Sequence, residues 1–131
     1  MIIYIYIGGV LSIALAMFHA IFYSYFQWEV DLTNVSFLNR KIFITIHIGL
    51  TAMFVFFALI SFLYAKELSQ CNGIYGFIAC FYSLVWFIRT IWQVTYLKHF
   101  KTERPILNYI LIAWFLMLLA SYSIPVAVKF L

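Results

Sequence analysis

Residues 40–65 read RKIFITIHIGLTAMFVFFALISFLYA, and no charged side chain interrupts the run between Lys41 and Lys66. A helix crosses a hydrocarbon core of about 30 Å with roughly 20 residues, so this run is long enough to span a bilayer. Within lipid no water is available to pair with backbone N–H and C=O groups, and a helix satisfies them inside one segment. Working outward, three more runs of the same kind appear. The predicted helices cover about 2–27, 40–65, 73–97 and 106–128. None shows the alternating ten-residue pattern of a transmembrane β-barrel. The expected fold class is all-α: a polytopic membrane protein, a four-helix transmembrane bundle forming a single domain over 1–131.

Composition points the same way. Hydrophobic residues make up 67% of the 131 residues, and only 9% are charged. A soluble domain usually carries about 25% charged residues. Eight Lys+Arg and four Asp+Glu are too few to clothe a 15.4 kDa surface, so lipid must solvate most of it. The net charge of +4 comes from basic residues beside apolar runs rather than from one stripe. It therefore reads as membrane orientation, with the lipid bilayer as partner and no nucleic acid. Cys71 and Cys80 form no C-x-x-C and read as two unpaired thiols. Ala14-Leu15-Ala16 mimics a signal-peptide cleavage site, but a basic n-region is missing and the apolar run continues to Phe26. The first run is expected to be a retained transmembrane helix.

The boundaries carry physical markers. Trp28, Glu29 and Asp31 close the first run, and Asn34 or Ser36 can cap the second. Pro105 is tolerated in a first helical turn, whereas Pro125 is expected to kink or fray the fourth helix. Gly8, Gly9 and Ser12 permit close helix contact. Four crossings put both termini on one side, with Lys66 and Lys129, and leave Arg40, Lys41, Lys98, Lys101 and Arg104 on the other. By the positive-inside rule the first and third loops of this multi-pass protein are expected in the cytoplasm and both termini outside.

The informative residues are ionisable groups inside the apolar runs: His19, His47 and Arg89. Arg at a helix centre costs about 2.5–3.5 kcal/mol on insertion scales, so such groups turn towards the bundle interior or a wet cavity. A rise of about 1.5 Å per residue places His19 ~12 Å, His47 ~10 Å and Arg89 ~13 Å from the basic boundary. Trp114 brings the fourth helix to the same level. Trp86, Arg89, Gln93 and Tyr96 share one helix face at 3-4-3 spacing. Tyr23 lies one turn from His19, and Thr51 one turn from His47. A polar column opening to the cytoplasm is expected from His19, Tyr23, His47, Thr51, Trp86, Arg89, Gln93 and Tyr96. The plainer alternative is that each histidine bonds a neighbouring helix, Arg89 bonds carbonyls, and the aromatic stripe is packing.

All four acids lie outside the apolar runs, which disfavours a carboxylate proton relay and an enzyme acting within the bilayer. Two histidines on different helices could hold a haem b axially, with Arg89 on a propionate. Only in that case are His19 and His47 metal ligands. The same groups suit a quinone carbonyl, a lipid phosphate or another anionic ligand. The alternative is a non-catalytic helper or structural subunit, paired with other membrane proteins or forming a homo-oligomer.

The pattern of His19, Trp28, Asn39-Arg40, Trp86, Arg89 and Gln93 resembles that of small uncharacterised four-helix bacterial inner-membrane proteins. The resemblance implies location in the inner membrane and a shared importance of His19, Arg89 and Gln93. It implies no activity.

Overall fold

The computed structural model describes residues 1–131. The chain is all helical, in the order α1 (Ile2–Ala20), α2 (Phe22–Tyr25), α3 (Trp28–Asp31), α4 (Phe37–Leu63), α5 (Ala65–Gln70), α6 (Ile74–Val94), α7 (Phe100–Glu103) and α8 (Pro105–Phe130), with a 3-10 turn at Leu32–Asn34. Four of these, α1, α4, α6 and α8, are long and apolar enough to cross a membrane. They form the expected four-helix bundle, and the chain contains no strand.

Local chemistry explains most of the boundaries. The Ser36 hydroxyl accepts a hydrogen bond from the Asn39 N–H at 3.4 Å and caps α4. Pro105 occupies the first turn of α8. Pro125 neither ends nor frays that helix, which runs through it to Phe130 with Pro125 buried. The first helix departs from the uninterrupted 2–27 span: α1 stops at Ala20. Beyond it the backbone turns at Ile21 and passes through a left-handed residue, Gln27, at φ 53°. The His19 carbonyl, in the last turn of α1, instead accepts a hydrogen bond from His47 Nε2 at 2.7 Å. A side chain of α4 thus caps the carbonyl end of α1, and α2 and α3 fold over that end.

In the bundle α1 lies against both α4 and α8, and α8 lies against α6. Aromatic side chains bridge α4 and α6: Phe57 stacks on Tyr82 at 4.0 Å and Phe54 on Trp86 at 5.6 Å. The shared core contains Leu15, Tyr82, Trp86, Phe115, Leu118 and Tyr122. Large apolar side chains such as Phe56, Phe77 and Phe87 point outward, where hydrocarbon would solvate them.

Small residues set the approach distances, because helix association in lipid depends on close packing rather than on expulsion of water. A Cβ at Gly8 would lie 2.7 Å from the Tyr122 ring, and one at Gly9 2.8 Å from the Phe62 ring. Tyr122 is fully buried and its hydroxyl lies 2.7 Å from that of Ser61, so the ring has little room to retreat. Between α5 and α6, Gly73 adopts φ 54° and ψ −128°, a conformation open essentially to glycine. Buried Cys71 precedes it, its thiol donating to the Leu68 carbonyl at 3.1 Å. Burial pushes that thiol above its ordinary pKa and keeps it protonated. Gly76 meets the same turn: a Cβ there would lie 2.5 Å from the Cys71 carbonyl oxygen, a backbone atom. Gly76→Ala should therefore lower stability by about 1–3 kcal/mol, the usual cost of overpacking. Thermal denaturation in detergent checks this, with Gly49→Ala as the control, since nothing lies within 4 Å of a Cβ at Gly49.

Candidate functional site

Three chain segments bring the intramembrane ionisable residues to one place. His19 lies in the last turn of α1, His47 in the basic half of α4, and Arg89 in α6 about one and a half turns before its end. They line a common cavity of about 430 Å³ with Phe22, Phe26, Trp28, Phe43, Ile46, Leu50 and Phe115 among its walls. The cavity is partly open, and Leu97 and Phe100, beyond the end of α6, are also among its walls.

The hydrogen bonds orient each group. His19 Nδ1 donates to the Leu15 carbonyl at 3.0 Å, so Nε2 is the nitrogen left without a bond to the chain. His47 donates from Nε2 to the His19 carbonyl. The two imidazoles lie with ring centres 5.5 Å apart and planes within 16°. Phe22 stacks on His19 at 4.2 Å, and Phe54 and Trp28 meet His19 and His47 edge-on at 4.8 Å each.

Arg89 is held differently. Its guanidinium donates from Nη1 to Gln93 Oε1 at 3.1 Å and sits 4.4 Å over the Phe115 ring. Gln93, fully buried, passes the bond on: its Nε2 donates to Asn108 Oδ1 of α8 at 3.0 Å. No carboxylate joins this chain, since Glu29, Asp31, Glu67 and Glu103 all lie outside the long helices. A guanidinium has five N–H donors. One hydrogen bond and one aromatic face leave it with spare donors beside the cavity.

The remaining residues of the expected column fall elsewhere. Trp86 lies one turn further from the basic end than Arg89, fully buried, stacked between Phe54 and Phe115. Tyr23 and Thr51 line a second cavity of about 430 Å³, which shares His47 and Trp28 with the first. Thr51 spends its hydroxyl on the His47 carbonyl at 2.9 Å. Tyr96 points outward, 67% exposed, and stacks on Trp92 beyond the end of α6. The 3-4-3 spacing that grouped it with Arg89 requires helix through residue 96, whereas α6 ends at Val94. Trp114 reaches α1, its indole N–H donating to the Leu11 carbonyl at 3.1 Å. Asn108, which completes the Arg89–Gln93 chain, is not among the residues expected from the sequence. The depth comparison that linked His19 to Arg89 also finds it. Gln93 stands five residues before Lys98 and Asn108 three after Pro105, so both lie just inside the same boundary.

A haem held between His19 and His47 does not fit this arrangement. The porphyrin would have to enter between the His47 ring and α1, where His47 Nε2 lies only 2.7 Å from a backbone oxygen of α1. The nitrogen most used for axial ligation is already committed to capping that helix.

These features define a class: an integral membrane protein of four helices with buried polar side-chain contacts inside the bundle. No family model matches the chain, and no curated protein or solved structure is significantly similar to it.

Proposed function

We propose that this is a non-enzymatic protein of the bacterial inner membrane that binds the polar head of an amphiphile in the cavity lined by His19, His47 and Arg89. The ligand chemistry that suits it is carbonyl- or phosphate-bearing, as in a quinone or an anionic lipid. The observation that carries the reading is Arg89, a cation inside an apolar helix with no acid to neutralise it, its spare donors beside an open aromatic cavity. A buried guanidinium in that state favours a ligand with acceptor oxygens. His19, with Nε2 unspent on its own backbone, adds a group that in the neutral ring accepts from a hydroxyl. The surrounding rings suit a flat head group or the first carbons of a tail.

The basic residues at this end of the bundle favour a cytoplasmic orientation, with both termini periplasmic. A second reading, a helper subunit, draws support from the outward-facing aromatics Phe56, Phe77 and Phe87. A partner helix or a second copy could replace lipid there, and it would co-purify in fixed ratio.

The test is mass analysis of protein purified in mild detergent, comparing wild type with Ile46→Trp. Ile46 lines the cavity yet is 65% exposed, so an indole there fills the cavity without disturbing the core. Wild type should carry about one more amphiphile per chain than the variant. An equal load in both would remove the cavity from consideration.

A further inference from the structure

The Arg89–Gln93–Asn108 chain has a fixed direction. An arginine can only donate, so Gln93 must present Oε1 to Arg89 and Nε2 to Asn108. Asn108 must then accept through Oδ1, which leaves its Nδ2–H₂ facing away from Gln93. That amide nitrogen makes no hydrogen bond within the chain and reaches the surface, although Asn108 as a whole is only 4% exposed. It lines a separate depression of about 240 Å³ between α6 and α8, together with Gln93, Tyr109, Lys98 and Lys101. No carboxylate lines that depression. Its position, at the basic ends of α6 and α8, is the level of lipid head groups.

We infer that this depression is an anion site that takes a phosphate group, with Asn108 Nδ2 as the oriented donor and Lys98 and Lys101 as the charges. An amide held in one orientation at the wall of the depression, its hydrogens without a partner in the chain, is free to donate to a phosphate oxygen there. The two ammonium groups neutralise the phosphate from the water side. Polarisation along the chain from Arg89 makes the Asn108 amide a stronger donor than an isolated one. The inference stands apart from the His19–Arg89 cavity, because different residues line the two.

Native mass spectrometry of the full chain in detergent tests it, with short-chain phosphatidylglycerol, phosphatidylcholine of the same chains, and inorganic phosphate as probes. Wild type should retain phosphatidylglycerol at least about tenfold better than phosphatidylcholine, as expected from two lysines near an anionic head group. Lys98→Gln/Lys101→Gln, exposed changes that leave the core alone, should abolish the preference, and Asn108→Leu should weaken it by about tenfold. Lys66→Gln/Lys129→Gln, at the opposite end, should leave it intact, and so should Ile46→Trp. Competition by millimolar inorganic phosphate would identify a free anion as the ligand, and its absence a lipid. Equal retention of the two lipids, or loss of preference from the Lys66/Lys129 pair as large as from Lys98/Lys101, overturns the site. Because Ile46→Trp tests the other cavity alone, failure of one reading leaves the other measurable.

Discussion

Replacing Arg89 with leucine should strip the bound amphiphile from the protein while changing the stability of the bundle by no more than about 1 kcal/mol, because the opposing contributions nearly cancel. The substitution removes a cation from lipid depth, worth about 2.5–3.5 kcal/mol on insertion scales. Against this it loses the contact with the Phe115 ring, about 0.5–2 kcal/mol. It also leaves Gln93 Oε1 buried without a donor, about 1–3 kcal/mol. Ligand binding has no such cancellation. Hydrogen bonds from a charged donor contribute about 1.5–3 kcal/mol, so retention should fall about ten- to a hundredfold. Arg89→Lys should recover part of it, since the charge remains but the planar fork is gone. Thermal melts and mass analysis on the same preparations give both readouts. An Arg89→Leu protein that keeps its amphiphile, or unfolds for want of the guanidinium, would mark Arg89 as an internal brace. His19→Leu and His47→Leu separate the two histidines. His47→Leu should cost about 1 kcal/mol of stability through the lost cap on the His19 carbonyl, whereas His19→Leu should act mainly on the ligand.

The four crossings were legible because hydropathy acts over whole segments: a charge-free run such as 42–65 admits one structure in lipid. The shared cavity of His19, His47 and Arg89 was legible for a related reason. A fixed rise per residue turns sequence distance from a charged boundary into depth. Depth along a helix says nothing about direction around a neighbouring one. Thr51 therefore shares a stripe with His47 yet faces the second cavity, and Tyr96 points outward once α6 ends. The break after α1 was hidden because its cause is tertiary. Residues 21–27 are as apolar as the rest, and only an imidazole from α4, 28 residues away, caps the His19 carbonyl. Asn108 was the opposite case. It lay at a readable depth beside Gln93, but a lone uncharged amide near a helix start carries no charge to mark it as costly in lipid.

Trp86→Ala should be the most damaging single change in the bundle, costing about 3–5 kcal/mol, the range for deleting a large buried aromatic. The indole is 0% exposed and lies parallel to Phe54 of α4 on one side and Phe115 of α8 on the other. Its Nε1–H has no partner, so truncation removes no hydrogen bond and the whole cost is packing. That cost is felt in full, because dispersion between closely fitted side chains is the main attraction between helices in lipid. The position also matters: α4 and α6 meet through rings, and without the indole only the Phe57 contacts with Tyr82 and Phe81 continue to bridge them among the aromatic pairs. Phe115 would lose its backing as well, and with it the platform beneath the Arg89 guanidinium, so ligand retention should fall together with stability. Trp86→Phe, which keeps a ring in the stack, should lose markedly less of both. Thermal denaturation of the three proteins in one detergent, followed by mass analysis of the bound amphiphile, tests the linkage. If Trp86→Ala costs less than about 1 kcal/mol, lipid tails or rotated neighbours fill the space. The aromatic stack would then not be what holds α4 to α6, nor what fixes Arg89 beside the cavity.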